Sequence, residues 1–217
     1  MQRLWYVAYG TNLSIGRLRC YLRGGRLPEV ARQYQGCRDQ SDPAATFGTL
    51  VPGGIYFTGH STVWGGGMAV YDAEHPGWVA ARAYLLTASQ FGDVLAQEMR
   101  QQPGVDVDLA LVHRHGRHSY GPGRYQTLLR VGSRGGLPML TFTSGQHAHR
   151  TLSAPTAAYL RTMAVGLRES HDWSNRRIGA HLASIPGVHG SWTPDQIAAL
   201  GGQTHHDYIR ATRSAAD

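Results

Sequence analysis

A short polar motif near the start of the chain has the residue types of an anion-binding loop. It directly follows an apolar run at residues 4–8, so the pattern predicts a buried strand that runs into a tight loop. Glycine takes backbone angles that other residues avoid, and asparagine tolerates the left-handed region. Such loops turn successive N–H groups toward one point and bind anions or a developing oxyanion. On the local pattern alone, an ordinary turn at the end of a strand is the more economical interpretation. The motif, hereafter the 9–13 loop, consists of Tyr9, Gly10, Thr11, Asn12 and Leu13.

A second candidate for chemistry is a carboxylic acid on the apolar face of a helix. A T-x-x-Q capping box predicts that this helix begins at Thr87, and it should run to about Gln101. Its apolar residues recur at i, i+3 and i+4 from Phe91, and the i+7 position is Glu98. Burial disfavours a charged carboxylate and raises its pKa toward neutral pH, where general acid/base catalysis works best. The alternative is that Glu98 lies at the edge of the stripe near the helix end and reaches water.

The histidine and glycine clusters match no established site. His113, His115 and His118 have neither the H-x-x-x-H spacing of a helical zinc site nor that of a structural zinc site, which favours a polar loop. The glycine run 65–67 lacks the Lys-[Ser/Thr] pair that follows in a phosphate-binding loop, so a bulge or hairpin is the better interpretation. We therefore expect no metal and no cofactor.

The order of the predicted elements places strands first and helices last. Pro52-Gly53-Gly54 indicates a hairpin between two of the strands. This order favours an α+β domain on a small mixed, largely antiparallel, barrel-like sheet with flanking helices and a helical C-terminal region. Strands are predicted at 4–8, 47–51, 55–57, 68–71, 78–86, 109–113, 125–131 and 139–143, and helices at 14–23, at 87–101 and in two or three segments between 155 and 200. The predicted organisation is a core at 1–150, a helical extension packed on it at 151–200 and a frayed tail at 201–217.

Composition limits the classes of protein that the chain resembles. The 217 residues are 41% hydrophobic and 16% charged, which suits one globular domain. All 21 basic side chains are arginine and the net charge is +7, but the arginines are scattered, so we expect no nucleic-acid partner. Two cysteines are too few for a disulfide framework. Since no signal peptide and no apolar segment of about 20 residues is apparent, we expect a cytoplasmic protein without a membrane partner.

The 9–13 loop resembles the Y-G-[ST]-N-L motif of the γ-glutamylcyclotransferase-like family, in which this loop binds the glutamyl group of the substrate. In that family a strand precedes a helix whose distal part carries the catalytic glutamate, and the segment that ends at Glu98 is similar. Residues 123–125 match the Gly-x-Tyr element that opens a later strand. The resemblance covers roughly residues 4–143, and the region beyond 151 looks like the helical extension of some bacterial members.

The resemblance implies an enzyme that cleaves a γ-glutamyl amide by intramolecular attack of the α-amine and releases 5-oxoproline and a free amine. The nucleophile is tethered, so no nucleophilic side chain and no metal is needed. The enzyme must supply a base, an acid and donors for the oxyanion. The resemblance assigns the general acid/base role to Glu98. It assigns substrate binding to Tyr9, Gly10, Thr11, Asn12, Leu13 and Tyr125.

Two other functions are compatible with the same residues. One is a non-catalytic, ligand-binding protein of this fold, and the other is an amide hydrolase or acyltransferase that uses an external nucleophile. The expected partner is a small γ-glutamyl compound, and the protein is a monomer or a homodimer. The leaving amine is left open among glutathione, a γ-glutamyl amino acid and a natural-product intermediate.

Overall fold

The chain folds around an open sheet of six strands, with a separate pair of strands and helices on both faces. The computed structural model describes residues 2–28, 30, 32–145 and 151–201. The strands are β1 (Arg3–Ala8), β2 (Thr46–Pro52), β3 (Gly54–Thr58), β4 (Met68–Asp72), β5 (Trp78–Thr87), β6 (Arg117–Ser119), β7 (Thr127–Arg134) and β8 (Leu137–Thr143). The helices are α1 (Ile15–Arg23), α2 (Ala88–Glu98), α3 (Ala110–His115), α4 (Ala157–His171) and α5 (Asn175–Ala183), with a 3-10 turn at Thr11–Leu13 and a further helical segment at residues 194–201.

The sheet is mixed and largely antiparallel, as the sequence predicts. Its strand order is β2-β5-β1-β8-β7-β6, and β3 and β4 form the separate two-stranded sheet. β1 and β8 pair in parallel, whereas the other described pairs are antiparallel. The predicted α+β class is therefore confirmed.

Strand β1 lies in the middle of the sheet and is buried on both faces. Side chains alternate along a strand, so Leu4 and Tyr6 face one hydrophobic core while Trp5 and Val7 face the other. Residues of α1 and α2 complete the first core, and residues of α4 and α5 complete the second. This explains why the first strand is an almost continuous apolar run rather than an alternating one. The loop after β1 is consequently held between two cores.

Helix α2 begins as predicted and ends earlier than predicted. The Thr87 hydroxyl accepts a hydrogen bond from the Gln90 N–H at 3.1 Å, and the Gln90 side chain accepts one from the Thr87 N–H at 3.1 Å, which completes the capping box. The helix ends at Glu98 instead of near Gln101, and Arg100 takes a left-handed φ of 61°. Glu98 is thus the last residue of α2.

The predicted hairpin at residues 52–54 is wrong. β2 pairs with β5, and β3 pairs with β4, so the turn carries the chain from one sheet to the other. Gly53 permits this with a φ of +123°, and a Cβ atom on it would lie 2.6 Å from the Asp72 carbonyl oxygen. A turn signal between two strands does not by itself decide whether those strands pair.

The strand predicted at residues 109–113 is also wrong, because this segment forms α3. Leu109 and Val112 are buried and stand at i and i+3, which is helical spacing. The Asp108 carboxylate accepts a hydrogen bond from the Ala110 N–H at 2.8 Å, and Gly116 ends the helix in the left-handed conformation. The apolar run was too short for its period to separate strand from helix.

Part of the predicted C-terminal organisation cannot be compared with the structure. The predicted tail at 201–217 lies, apart from Gly201, outside the described residues. Within the residues that are described, no helix combines the length and the apolar character that a membrane crossing requires.

Candidate active site

The 9–13 loop and the end of α2 form two sides of one pocket. Six of the seven residues predicted for the site line it: Tyr9, Gly10, Thr11, Asn12, Glu98 and Tyr125. The space between them measures about 690 Å³, part of it open to solvent. The seventh, Leu13, is not among the lining residues; its side chain is fully buried in the core that contains α4.

The side chain of Asn12 joins the loop to the carboxylate. Its Nδ2 group donates hydrogen bonds to Oε1 of Glu98 and to the Tyr6 hydroxyl, both at 3.0 Å. Asn12 lies in the 3-10 turn and does not take the left-handed conformation that asparagine tolerates. Its contribution is therefore the reach of its amide group and not an unusual backbone conformation.

Glu98 faces the pocket from the end of α2 and is partly exposed. The apolar stripe that precedes it, Phe91, Val94 and Leu95, is fully buried. The sequence allowed either a buried Glu98 or a Glu98 at the edge of the stripe. In the structure Glu98 lies at the edge, at the helix end. The carboxylate is therefore open both to the pocket and to solvent.

Helix α4 packs against the 9–13 loop and positions it. The Tyr159 hydroxyl accepts a hydrogen bond from the Ala69 N–H at 3.2 Å and lies so close to Gly10 that a Cβ atom there would be 3.1 Å from it. Farther along α4, a Cβ atom on Gly166 would lie 2.3 Å from the Leu13 carbonyl carbon. Since Gly10 has a φ of −109°, its requirement is for space and not for a left-handed backbone.

A buried polar network holds the end of the loop. The Tyr84 hydroxyl donates to the Leu13 carbonyl oxygen at 2.9 Å, and Nη1 of Arg82 donates to the same oxygen at 3.1 Å. Arg82 also pairs with Glu169 of α4 at 2.6 Å, and Glu169 accepts from the Ile15 N–H at 2.9 Å. The network therefore fixes the 3-10 turn and the start of α1 relative to α4 and β5.

Burial keeps three of the phenol groups of the pocket protonated. It raises the pKa of Tyr6, and the nearby charge of Glu98 raises it further against the hydrogen bond from Asn12. Burial also raises the pKa of Tyr125 and that of Tyr159. Tyr125 has a left-handed φ of 58°, a strained conformation that often marks functional sites. Neutral hydroxyl groups of this kind donate or accept hydrogen bonds without adding charge.

Sequence reasoning missed the cationic part of the pocket. Arg17 of α1 lines the wall and is only 2% exposed. Arg32, Arg100 and Arg124 also line the pocket, and Glu98 is the one carboxylate among the lining residues. The pocket thus favours anionic ligands. Other lining residues that the sequence did not single out are Tyr6, Tyr21, Tyr34, Trp64 and Tyr159.

The histidine cluster of the sequence analysis lies away from this pocket. His113 and His115 are on α3, and His118 is on β6, where its ring contacts Tyr120. Across residues 2–28, 30, 32–145 and 151–201, no group of three or more His, Cys, Asp or Glu side chains has an arrangement that could hold a metal ion.

Comparison with known proteins identifies the fold. A solved structure of a gamma-glutamyl cyclotransferase superposes on 93% of this chain and 99% of its own, with a TM-score of 0.50 and 14% sequence identity. A structure of the uncharacterized protein loc79017 from Homo sapiens covers the same shares at 15% identity, with a TM-score of 0.47. The chain therefore has the γ-glutamylcyclotransferase-like fold.

Sequence comparison is less specific. No family model matches the chain. Histone deacetylase 5 of Arabidopsis thaliana is 28% identical over 207 residues, which cover 82% of this chain and 30% of that protein. The chain thus spans less than a third of the length of this curated relative, and the activity in the relative's name is a statement about that protein alone.

Proposed function

We propose that this protein is a γ-glutamyl cyclotransferase that acts on a small γ-glutamyl amide and releases 5-oxoproline and a free amine. One observation carries the proposal: Asn12 of the glutamyl-binding motif donates a hydrogen bond of 3.0 Å to Glu98, 86 positions away in sequence. The two halves of the site that the sequence suggests separately thus meet in one pocket. The fold shared with a solved gamma-glutamyl cyclotransferase supports the same conclusion.

In the proposed reaction Glu98 moves protons and the substrate supplies the nucleophile. Glu98 accepts a proton from the α-ammonium group, and the α-nitrogen then forms a bond to the γ-carbonyl carbon to close a five-membered ring. The amide C–N bond breaks as protons lost by the α-nitrogen pass through Glu98 to the leaving nitrogen. Because the two reacting groups belong to one molecule, holding the substrate in its folded conformation supplies much of the rate.

The 9–13 loop would stabilise the oxyanion that develops on the γ-carbonyl. The first N–H groups of a helical turn have no partner within the turn, and Gly10, Thr11 and Asn12 all line the pocket. Donors fixed in this way need no reorganisation during the reaction. The loop is held rigid by the hydrogen bonds that Tyr84 and Arg82 donate to the Leu13 carbonyl oxygen. In this proposal Leu13 supports the loop and does not contact the substrate.

Product identification tests the proposal. Purified protein is incubated with glutathione, with an L-γ-glutamyl amino acid and with an L-γ-glutamyl alkylamine, and the products are separated by mass spectrometry. The proposal predicts 5-oxoproline and the free amine from at least one of these amides. Glutamate as the product would indicate a hydrolase. An unchanged mixture together with ligand-dependent thermal stabilisation would indicate a binding protein, and either result would refute the proposal.

A further inference from the structure

Arg17 is a charged side chain buried in the pocket wall. It is 2% exposed, and its guanidinium carbon lies 4.5 Å from the ring centre of Tyr21, 4.3 Å from that of Tyr34 and 5.5 Å from that of Trp64. Aromatic faces attract a cation, but they replace only part of the hydration that a buried guanidinium loses. Such a burial is costly unless the hydrogen bonds of the group are made.

Most of the hydrogen-bonding capacity of Arg17 is unused. Its Nη2 group donates to the Tyr21 hydroxyl at 2.7 Å and to the Tyr34 hydroxyl at 2.5 Å. A guanidinium has five N–H donors, and these two bonds use both donors of Nη2. Nε and Nη1 are buried and have no partner among the residues that the structure describes. Buried polar groups in folded proteins are nearly always satisfied, so these donors require a partner such as a bound water, an ion or a ligand.

An unused acceptor lies in the same pocket. The amide group of Asn12 donates its two N–H groups to Tyr6 and Glu98. Its Oδ1 atom is buried and has no partner in the described part of the chain. The wall of the pocket therefore holds buried donors on Arg17 and a buried acceptor on Asn12 that have no partner among the described residues. A ligand that satisfies both must carry an acceptor and a donor.

The charges of Arg17 and Glu98 influence each other without direct contact. Burial lowers the pKa of Arg17, but the hydroxyls of Tyr21 and Tyr34 and the charge of Glu98 raise it more, so that it lies above its ordinary value and the group stays cationic. Among the described residues no ion pair joins Arg17 to Glu98. The Tyr21 hydroxyl stands between the two charges, since it accepts from Arg17 and also interacts with Glu98. A cation and an anion that line one pocket complement a zwitterion such as the α-amino acid end of a glutamyl group.

We infer that Arg17 binds the α-carboxylate of the γ-glutamyl substrate, while Asn12 Oδ1 and Glu98 receive its α-ammonium group. This inference rests on the proposed function and adds the residue that recognises the amino acid end of the substrate. It leaves for the γ-carbonyl oxygen those N–H groups of the 9–13 loop that are not already bonded, as that of Leu13 is to the Gly10 carbonyl oxygen and that of Thr11 is to the Tyr159 hydroxyl. The pocket then selects γ-glutamyl compounds with a free α-carboxylate and discriminates against amides of 4-aminobutyrate.

The test compares two substrates and three variants. The substrates are an L-γ-glutamyl amide and the 4-aminobutyryl amide of the same amine, which lacks only the α-carboxylate and would cyclise to 2-pyrrolidinone. Arg17→Met removes the charge, and Arg17→Lys keeps a charge without the guanidinium geometry. Arg19→Met is the matched control, because Arg19 lies on the same helix and pairs with Asp42 at the surface. Thermal unfolding of each variant checks its fold.

For the wild type, removal of the α-carboxylate should lower kcat/KM about 100-fold or more, the usual cost of losing one partner of a buried, hydrogen-bonded charge pair. Arg17→Met should lower kcat/KM by about the same factor for the glutamyl amide. It should lower kcat/KM less than about threefold for the 4-aminobutyryl amide, because that substrate has no carboxylate for Arg17 to bind. Arg17→Lys should fall between, and Arg19→Met should match the wild type. A purely structural Arg17 would slow both substrates by the same factor, which would overturn the inference.

Product binding gives a readout that needs no turnover. Wild-type protein should bind L-5-oxoproline about 100-fold more tightly than 2-pyrrolidinone, and Arg17→Met should abolish that preference while Arg19→Met keeps it. An unchanged preference in Arg17→Met would refute the role of Arg17 even if turnover is observed. Conversely, lack of turnover with the preference intact would refute the proposed function and leave the carboxylate site supported.

Discussion

Helices α1 and α2 each bring one charged side chain to the pocket, but they hold it in different ways. Arg17 lies in the first turn of α1, is 2% exposed and is surrounded by three aromatic rings. Glu98 is the last residue of α2, is partly exposed and accepts one hydrogen bond from Asn12. Burial disfavours the charge of Arg17, but the hydroxyls of Tyr21 and Tyr34 and the charge of Glu98 outweigh it and keep the group cationic. A group that must gain and lose protons is suited by a helix end that water reaches.

The largest effect on activity should follow replacement of Glu98, the group that moves protons in the proposed reaction. Glu98→Gln keeps the size and the hydrogen bond from Asn12 but cannot accept a proton, so kcat should fall about 1,000-fold, within the range of general acid/base catalysis. The measurement is the rate of 5-oxoproline release at saturating substrate. Glu74→Gln, an exposed carboxylate on the turn after β4, is the matched control and should retain wild-type activity. Comparable turnover by Glu98→Gln and wild type would remove Glu98 from the mechanism.

Helix α2 also contains a buried charge whose partners are complete, and this charge should matter for stability. Asp93 is fully buried and accepts hydrogen bonds from the N–H groups of Arg38 at 2.9 Å and Gly104 at 3.0 Å, besides its ion pair with Arg38. Asp93→Ala leaves these buried donors without an acceptor and should lower the free energy of unfolding by about 2–4 kcal/mol in urea denaturation.

Two comparisons sharpen this stability prediction. Asp106→Ala removes the exposed partner of the same arginine and should cost less than about 1 kcal/mol. Arg17→Met should change the free energy of unfolding less than Asp93→Ala, because several donors of Arg17 have no partner among the described residues. If Arg17→Met were the more destabilising change, the contrast between a structural and a ligand-binding buried charge would fail.

A smaller effect on activity should follow loss of the amide that orients the carboxylate. Asn12→Ala removes the hydrogen bonds to Glu98 and Tyr6 and should lower kcat/KM about 10- to 100-fold, the range for a hydrogen bond to a charged group. Asn12→Asp is a useful companion, since a second carboxylate beside Glu98 should shift the acidic limb of the pH–rate profile to higher pH. An unchanged profile in Asn12→Asp would show that the two side chains do not interact in solution.

The smallest expected effect concerns the region where α4 packs against β2 and α5 packs against α4. Burial lowers the pKa of His171 and of His181, and Arg177 lowers both further. The folded protein therefore binds fewer protons than the unfolded chain below pH 6.5, the ordinary histidine pKa. The stability that depends on these neutral rings is present above that pH and is lost as the pH falls toward their folded values. The free energy of unfolding at pH 5 and pH 7.5 measures the loss, which His181→Gln should reduce.

Sequence reasoning succeeded where a local pattern dictates the structure. The apolar run before Tyr9 predicted a buried strand, and the capping box at Thr87 and Gln90 predicted the start of α2. Continuing the apolar stripe of α2 from Phe91 to position i+7 identified Glu98, which lines the pocket in the structure. Local patterns did not predict which strands pair, as the turn at residues 52–54 shows. They also did not distinguish a short helix from a strand, as α3 shows.

The cationic wall of the pocket was predictable in part. Arg17 stands four residues before Tyr21 on the buried face of α1, so the reasoning applied to Glu98 would have found it too. Tyr159 is different: it reaches Gly10 only because α4, far along the chain, packs against the loop after β1. No periodicity within α4 separates a tyrosine that lines a pocket from one that fills a core.

The central claim is that the α-amine of the substrate, with protons moved by Glu98, displaces the leaving amine without water. The most direct measurement is mass spectrometry of the products formed from an L-γ-glutamyl amide in H₂¹⁸O by the wild type and by Glu98→Gln. The account predicts 5-oxoproline without ¹⁸O from the wild type and almost none from Glu98→Gln. Glutamate carrying ¹⁸O in its γ-carboxylate, or equal amounts of 5-oxoproline from both proteins, would contradict it.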